Sequence, residues 1–65
     1  MIKEVSVEYI NQVIENRDDY LDELLYAFNN DIYIACDNTN GNAWIEEFES
    51  KEEAVNWLNN NWNND

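Results

Sequence analysis

The sequence predicts a small α+β domain in the order helix, strand, strand, helix, with an antiparallel hairpin packed on two helices. Three observations carry that expectation. Apolar residues at Val7, Ile10, Ile14, Leu21, Leu24 and Phe28 follow a three-four spacing, interrupted by Arg17. Asn40-Gly41 stands between two runs rich in β-branched and aromatic residues. Ser50-Lys51-Glu52-Glu53 has the spacing of a capping box. The chain of 65 residues makes one domain, 1–65. A domain of this size buries only about 60% of its unfolded surface, so its core is thin.

Taken in order, the first element is one long helix from about Val7 to Asn29. Val13, Tyr20 and Leu25 widen its apolar stripe, Ser6 caps it, and Glu8 lies in its first turn. The polar run Asn16-Arg17-Asp18-Asp19 is a place where this helix could kink into two. An alternative reading makes Ile2 to Val7 a short edge strand. Asn29-Asn30-Asp31 ends the helix. Ile32 to Cys36 reads as a strand, Asp37 to Asn42 as the hairpin turn, and Ala43 to Phe48 as the return strand. With a loop of about five residues, Ile32, Ile34 and Cys36 share a face with Trp44 and Phe48. Tyr33, Ala35, Ile45 and Glu47 then lie on the other, open face; a two-residue turn would shift the register by one. A second helix runs from about Lys51 to Asn61, with Ala54, Val55, Leu58 and Trp62 as its stripe and Trp57 beside it. The Asn-rich end, 59–65, is expected to fray.

Charge decides the function classes. There are 15 carboxylates against three basic side chains, a formal net charge of -12, and no histidine. Self-repulsion on this scale opposes a compact fold and invites a reason. Such a surface repels nucleic acid and membranes and suits a partner that itself binds nucleic acid through a basic groove. The chain holds thirteen Asn, yet only Lys3, Arg17 and Lys51 are basic. A nucleotide bias toward Asn codons would also supply Lys, so the shortage of Lys looks selected. With 45% hydrophobic residues, three Trp, four Tyr and two Phe, the chain is no disordered acidic tail.

Enzyme chemistry is not expected. No His is available as a base, no Ser-His or Cys-His pair exists, and no glycine-rich phosphate loop is present. No cofactor is implied. Cys36 is alone, so it forms no internal disulfide, and a reducing cytoplasm fits. Its strand position suggests a buried small hydrophobe. Asp37 to Asn42 resembles a calcium loop, but aligning Gly41 to the required glycine puts Cys36 at the first ligand position. Starting at Asp37 instead puts Phe48 where a Glu is needed, so no metal site is expected. Nothing reads as a signal peptide or a membrane span.

Two acidic groups remain. On the expected first helix, Glu15, Asp19, Asp22 and Glu23 form a ridge, with Asp18 on its flank. The second group is Glu46, Glu47, Glu49, Glu52 and Glu53. Glu52 and Glu53 favour a helix N-terminus, whereas Glu46 and Glu47 have no such local reason. A solvated face that keeps the protein soluble is the plain alternative for both groups. Tyr20, Trp44 and either Trp57 or Trp62 are expected inside. Tyr9, Tyr26 and Tyr33 are candidate interface anchors, or else cover for a thin core.

In size, in its lack of His and Pro, and in the Asp18-Asp19-x-x-Asp22-Glu23 and Glu46-Glu47-x-Glu49-x-x-Glu52-Glu53 clusters, the chain resembles the small acidic inhibitors made by bacteriophages, notably anti-CRISPR proteins and other DNA mimics. The segment from Gly41 to Ala54 is also similar to the strand-to-helix step of many small phage and bacterial proteins. The resemblance is one of type and carries no functional residue over. It implies a stoichiometric inhibitor acting in the bacterial cytoplasm, on a CRISPR effector or another nuclease. The residues expected to meet that partner are Glu15, Asp18, Asp19, Asp22, Glu23, Glu46, Glu47 and Glu49, with Tyr26 or Tyr33 as anchors. Two other readings share parts of this pattern: an immunity protein or antitoxin that neutralises a basic nuclease toxin, and a non-inhibitory regulatory module that forms a homodimer. No direct binding of nucleic acid or membrane is expected.

Overall fold

The computed structural model describes residues 2–60. Its elements are β1 (Ile2–Glu4), α1 (Val7–Glu15), a 3-10 turn (Arg17–Asp19), β2 (Glu23–Asn29), β3 (Ile32–Asn38), β4 (Trp44–Phe48) and α2 (Lys51–Asn60). The four strands form one mixed sheet in the order β1-β2-β3-β4. β1 pairs with β2 in parallel, while β2–β3 and β3–β4 are antiparallel. The expected order of helix, strand, strand, helix is therefore wrong. The chain runs strand, helix, three strands, helix, and the short edge strand at Ile2 is real.

The long helix from Val7 to Asn29 is the main correction. Ser6 Oγ accepts from the Tyr9 N–H at 3.1 Å and opens α1 as expected, but α1 stops at Glu15. The polar run that follows makes a single 3-10 turn, and Glu23–Asn29 becomes a central strand. The physical reason lies in Leu24-Leu25-Tyr26-Ala27-Phe28. A strand with both faces covered reads as a continuous apolar run, which a helical spacing also fits. Asn30 and Asp31 do not end a helix. They form the two-residue turn between β2 and β3, with φ of 53° and 65°. Asn and Asp tolerate that left-handed pair better than most residues, and such turns match strand twist.

The β3–β4 hairpin is present at the expected place, but its register differs. Cys36 pairs with Ile45, and Asp37 with Trp44. Ile32, Ile34 and Cys36 therefore share a face with Ile45 and Glu47, not with Trp44 and Phe48. Nor is the other face open. Tyr26, Ala35, Ala54 and Leu58 form a core there beneath α2, with Leu24, Tyr33, Phe48, Val55 and Trp57 around it. Ile10, Val13, Leu25, Ala27 and Cys36 form the core beneath α1. The domain is thus three layers, helix, sheet, helix. Ser50 Oγ accepts from the Glu53 N–H at 3.2 Å, so the expected cap of α2 is formed. Asn59 and Asn60 lie within α2, and Trp62 and the rest of 61–65, where fraying is expected, lie outside the described residues.

Candidate functional site

The sheet has two ends. β2 starts and β3 finishes at one of them, where α1 also terminates. At this end Asn38 is completely buried. Its Nδ2 donates to the carbonyls of Arg17 at 3.1 Å and Tyr20 at 2.8 Å. Its Oδ1 accepts from the Ala43 N–H at 3.0 Å. Its main-chain carbonyl accepts from Asp22 and Gly41. One amide thus ties the acidic 3-10 segment to the hairpin loop. Buried polar groups are tolerated when every donor and acceptor is met, and this one holds two loops in one arrangement. Next to it, Asp37 Oδ1 accepts from the Thr39 N–H and hydroxyl, which starts the turn toward Gly41.

The result is an open polar groove of about 410 Å³ lined by Glu15, Asn16, Arg17, Asp18, Asp19 and Gly41. Three of the expected carboxylates are brought together here, but not as a helical ridge. Glu15 ends α1, and Asp18 and Asp19 stand on the 3-10 turn. Asp22 sits in a turn at φ 65°. Glu23 opens β2, and its covered Oε1 lies 3.3 Å from Lys3 Nζ. That oxygen accepts no hydrogen bond, so the ammonium alone compensates its burial. Glu23 is therefore committed within the fold.

The second group lies along β4 and at the opposite end of the sheet. Glu46 and Glu47 are consecutive on β4, so they project to opposite faces. Glu49 follows the strand, and Glu52 and Glu53 occupy the first turn of α2, where a helix favours negative charge. Five residues of β4 span roughly 13 Å. Glu49, Glu52 and Glu53 therefore lie at the end of the sheet away from the groove. Among the described residues Lys3–Glu23 is the one ion pair, and every carboxylate except Glu23 and Asp37 is exposed.

The three candidate tyrosines all have packing partners within the fold. Tyr26 is only 6% exposed and belongs to the core under α2. Lys51 Nζ stands 5.8 Å from its ring centroid, and the interaction with the Tyr26 side chain raises the lysine's pKa. Tyr33 is half-buried, 4.7 Å from the ring of Phe28. Tyr9 packs edge-on against Tyr20. The exposed large apolar side chains are instead Ile14, Leu21, Phe28, Trp44 and Ile45. Trp44 was expected inside; its pairing with Asp37 at the sheet edge leaves it half exposed. Periodicity missed Asn38 because an Asn beside a turn reads as surface.

Cys36 is buried, and loss of solvation, then the nearby Asp37 charge, pushes its thiol up to about 11. Such a thiol is a weak nucleophile at neutral pH. No group of three or more His, Cys, Asp or Glu among the described residues is arranged to hold a metal ion. No helix among them is long and apolar enough to cross a membrane. The fold and surface together define a small three-layer domain in which, among the described residues, most carboxylates are exposed and only Glu23 has an ion-pair partner. Compared with protein-family models, curated proteins and solved structures, the chain matches none.

Proposed function

We propose that this protein is a stoichiometric inhibitor that occupies the nucleic-acid-binding site of a basic protein. In this reading its carboxylates take the part that duplex phosphates play toward Arg and Lys side chains. The observation that carries this reading is that the negative charge is exposed and almost entirely unpaired within the fold, with Lys3–Glu23 the single ion pair among the described residues. Net charge this large keeps a chain soluble but also opposes its compact fold, a cost that a charged partner would relieve. Asn38 holds the backbone on either side of Asp18 and Asp19, so the segment that carries these charges is kept in one arrangement. Preset geometry lowers the entropy cost of binding. The resemblance to phage inhibitors makes a CRISPR effector or another defence nuclease the favoured target, met in the cytoplasm of a bacterial host.

The test is capture of a target from host lysate on the immobilised chain, followed by competition with duplex DNA. The reading expects a basic nucleic-acid-binding protein that DNA displaces. A captured partner that binds DNA and this chain together, without interference, contradicts it.

A further inference from the structure

We propose that the outer edge of β4 receives an extended basic segment of the partner, which joins the sheet as a fifth strand. Among the described residues β4 ends the strand order and pairs in the sheet with β3 alone. Its register from Phe48 to Trp44 is unbroken, so the edge is a regular row of backbone donors and acceptors. Exposed edges of this kind are usually blunted by proline, a bulge or lysine. β4 has none of these; its sequence is Trp-Ile-Glu-Glu-Phe. All of it except Phe48 is exposed, including the apolar Trp44 at 50% and Ile45 at 38%.

What protects this edge is charge of one sign, and that protection is selective. An antiparallel second copy centred on Glu46 or on Glu47 would set that Glu against its own copy, between two chains of formal charge -12. Like charges directly opposite destabilise a strand pair, whereas opposite charges favour it. The edge therefore repels itself and accepts a basic strand. Glu46 points to the α2 face and Glu47 to the α1 face. A matching strand thus carries two consecutive basic residues, one for each face, next to an apolar pair facing Ile45 and Trp44. Parallel or antiparallel approach reverses the order of these pairs but not their content. Backbone pairing supplies affinity and the side-chain pattern supplies selection, as in other strand-addition complexes. The inference takes from the proposed function only that the partner is basic.

The test uses the full chain, labelled with 15N, and three short synthetic peptides. The first has a Lys-Arg pair beside two valines. The second has the same sequence with N-methyl groups on alternate backbone nitrogens. The third has the same composition with the basic residues dispersed. The proposal expects saturable shifts confined to the amides of β4 and its neighbours, and slowed exchange of the outward β4 amides. It expects about tenfold weaker binding by the N-methylated peptide, since backbone hydrogen bonds are lost. The double variant E46K/E47K is expected to lose the first peptide. No response at β4 overturns the proposal. So does equal binding by all three peptides, which would mean attraction by charge without strand pairing and would leave the proposed function standing. Protection of β4 by concentration-dependent dimerisation, seen by sedimentation without peptide, overturns it as well. Failure of the inhibitor reading shows separately, in the DNA competition.

Discussion

Asn38 and Tyr20 are 18 residues apart in the chain, yet the Asn38 side-chain amide donates to the Tyr20 carbonyl at 2.8 Å. This bond and its neighbour to Arg17 join the hairpin loop to the acidic 3-10 segment. They fix the backbone on either side of Asp18 and Asp19.

Asn38→Ala is expected to cost about 2 kcal/mol, because it leaves two part-buried carbonyls and one part-buried N–H without partners. In a domain this small each kcal/mol lowers Tm by about 4–8 °C. Asn38→Asp keeps the shape but aims an acceptor at two carbonyls, and should fall at least as far. Thermal unfolding followed by Trp fluorescence measures both. A loss under 1 kcal/mol would show that Asn38 does not hold these loops together.

Gly41 has φ 77°, and a Cβ placed on it would lie 3.1 Å from Leu21 Cδ2. The tip of an exposed leucine yields easily, but the backbone conformation does not. Gly41→Ala should therefore destabilise by about 1 kcal/mol. Adding Leu21→Ala should not restore the loss. Recovery in the double variant would mean that the contact, not the dihedral, sets the cost.

The two serine caps were readable in the sequence. Ser6→Ala and Ser50→Ala should each cost about 1 kcal/mol, and the two losses should add, since the helices lie on opposite faces of the sheet. Urea titration of both single variants and the double checks this.

Such local signals were legible because each rests on a few neighbouring residues. Asn40-Gly41 marked the β3–β4 hairpin for the same reason. β2 was not legible. Leu21, Leu24 and Phe28 fall at helical spacing by coincidence, and a central strand buried on both faces lacks the alternation that distinguishes a strand. The missed signal was Asn30-Asp31, two residues tolerant of positive φ between two apolar runs. Once β2 is a strand, the ridge of Glu15, Asp19, Asp22 and Glu23 dissolves. Three of the first group's acids are nevertheless reunited in a groove. The burial of Tyr26 and the use of Glu23 by Lys3 depend on sheet pairing, which no local pattern encodes.

Cys36 gives a pH dependence of definite sign. Its thiol ionises near 9.0 when unsolvated burial is absent and near 11 in the fold. The folded state thus holds the proton more tightly. The stability from burying the neutral thiol is complete below pH 9 and is lost as the pH rises toward 11, by roughly 3 kcal/mol in all. Chemical denaturation of the wild type and Cys36→Ala between pH 8 and pH 11 checks this. The variant should start less stable and decline less steeply; parallel curves would refute the assignment to Cys36.

The central claim is that exposed carboxylates substitute for nucleic-acid phosphates, and the salt dependence of target binding tests it most directly. The logarithm of affinity for the captured partner should fall steeply and linearly with the logarithm of salt concentration, as it does for nucleic acid itself. Neutralising Asp18, Asp19, Glu46 and Glu47 to Asn or Gln should flatten that slope and weaken binding. An affinity that barely changes with salt, or that survives neutralisation of both groups, would contradict the account.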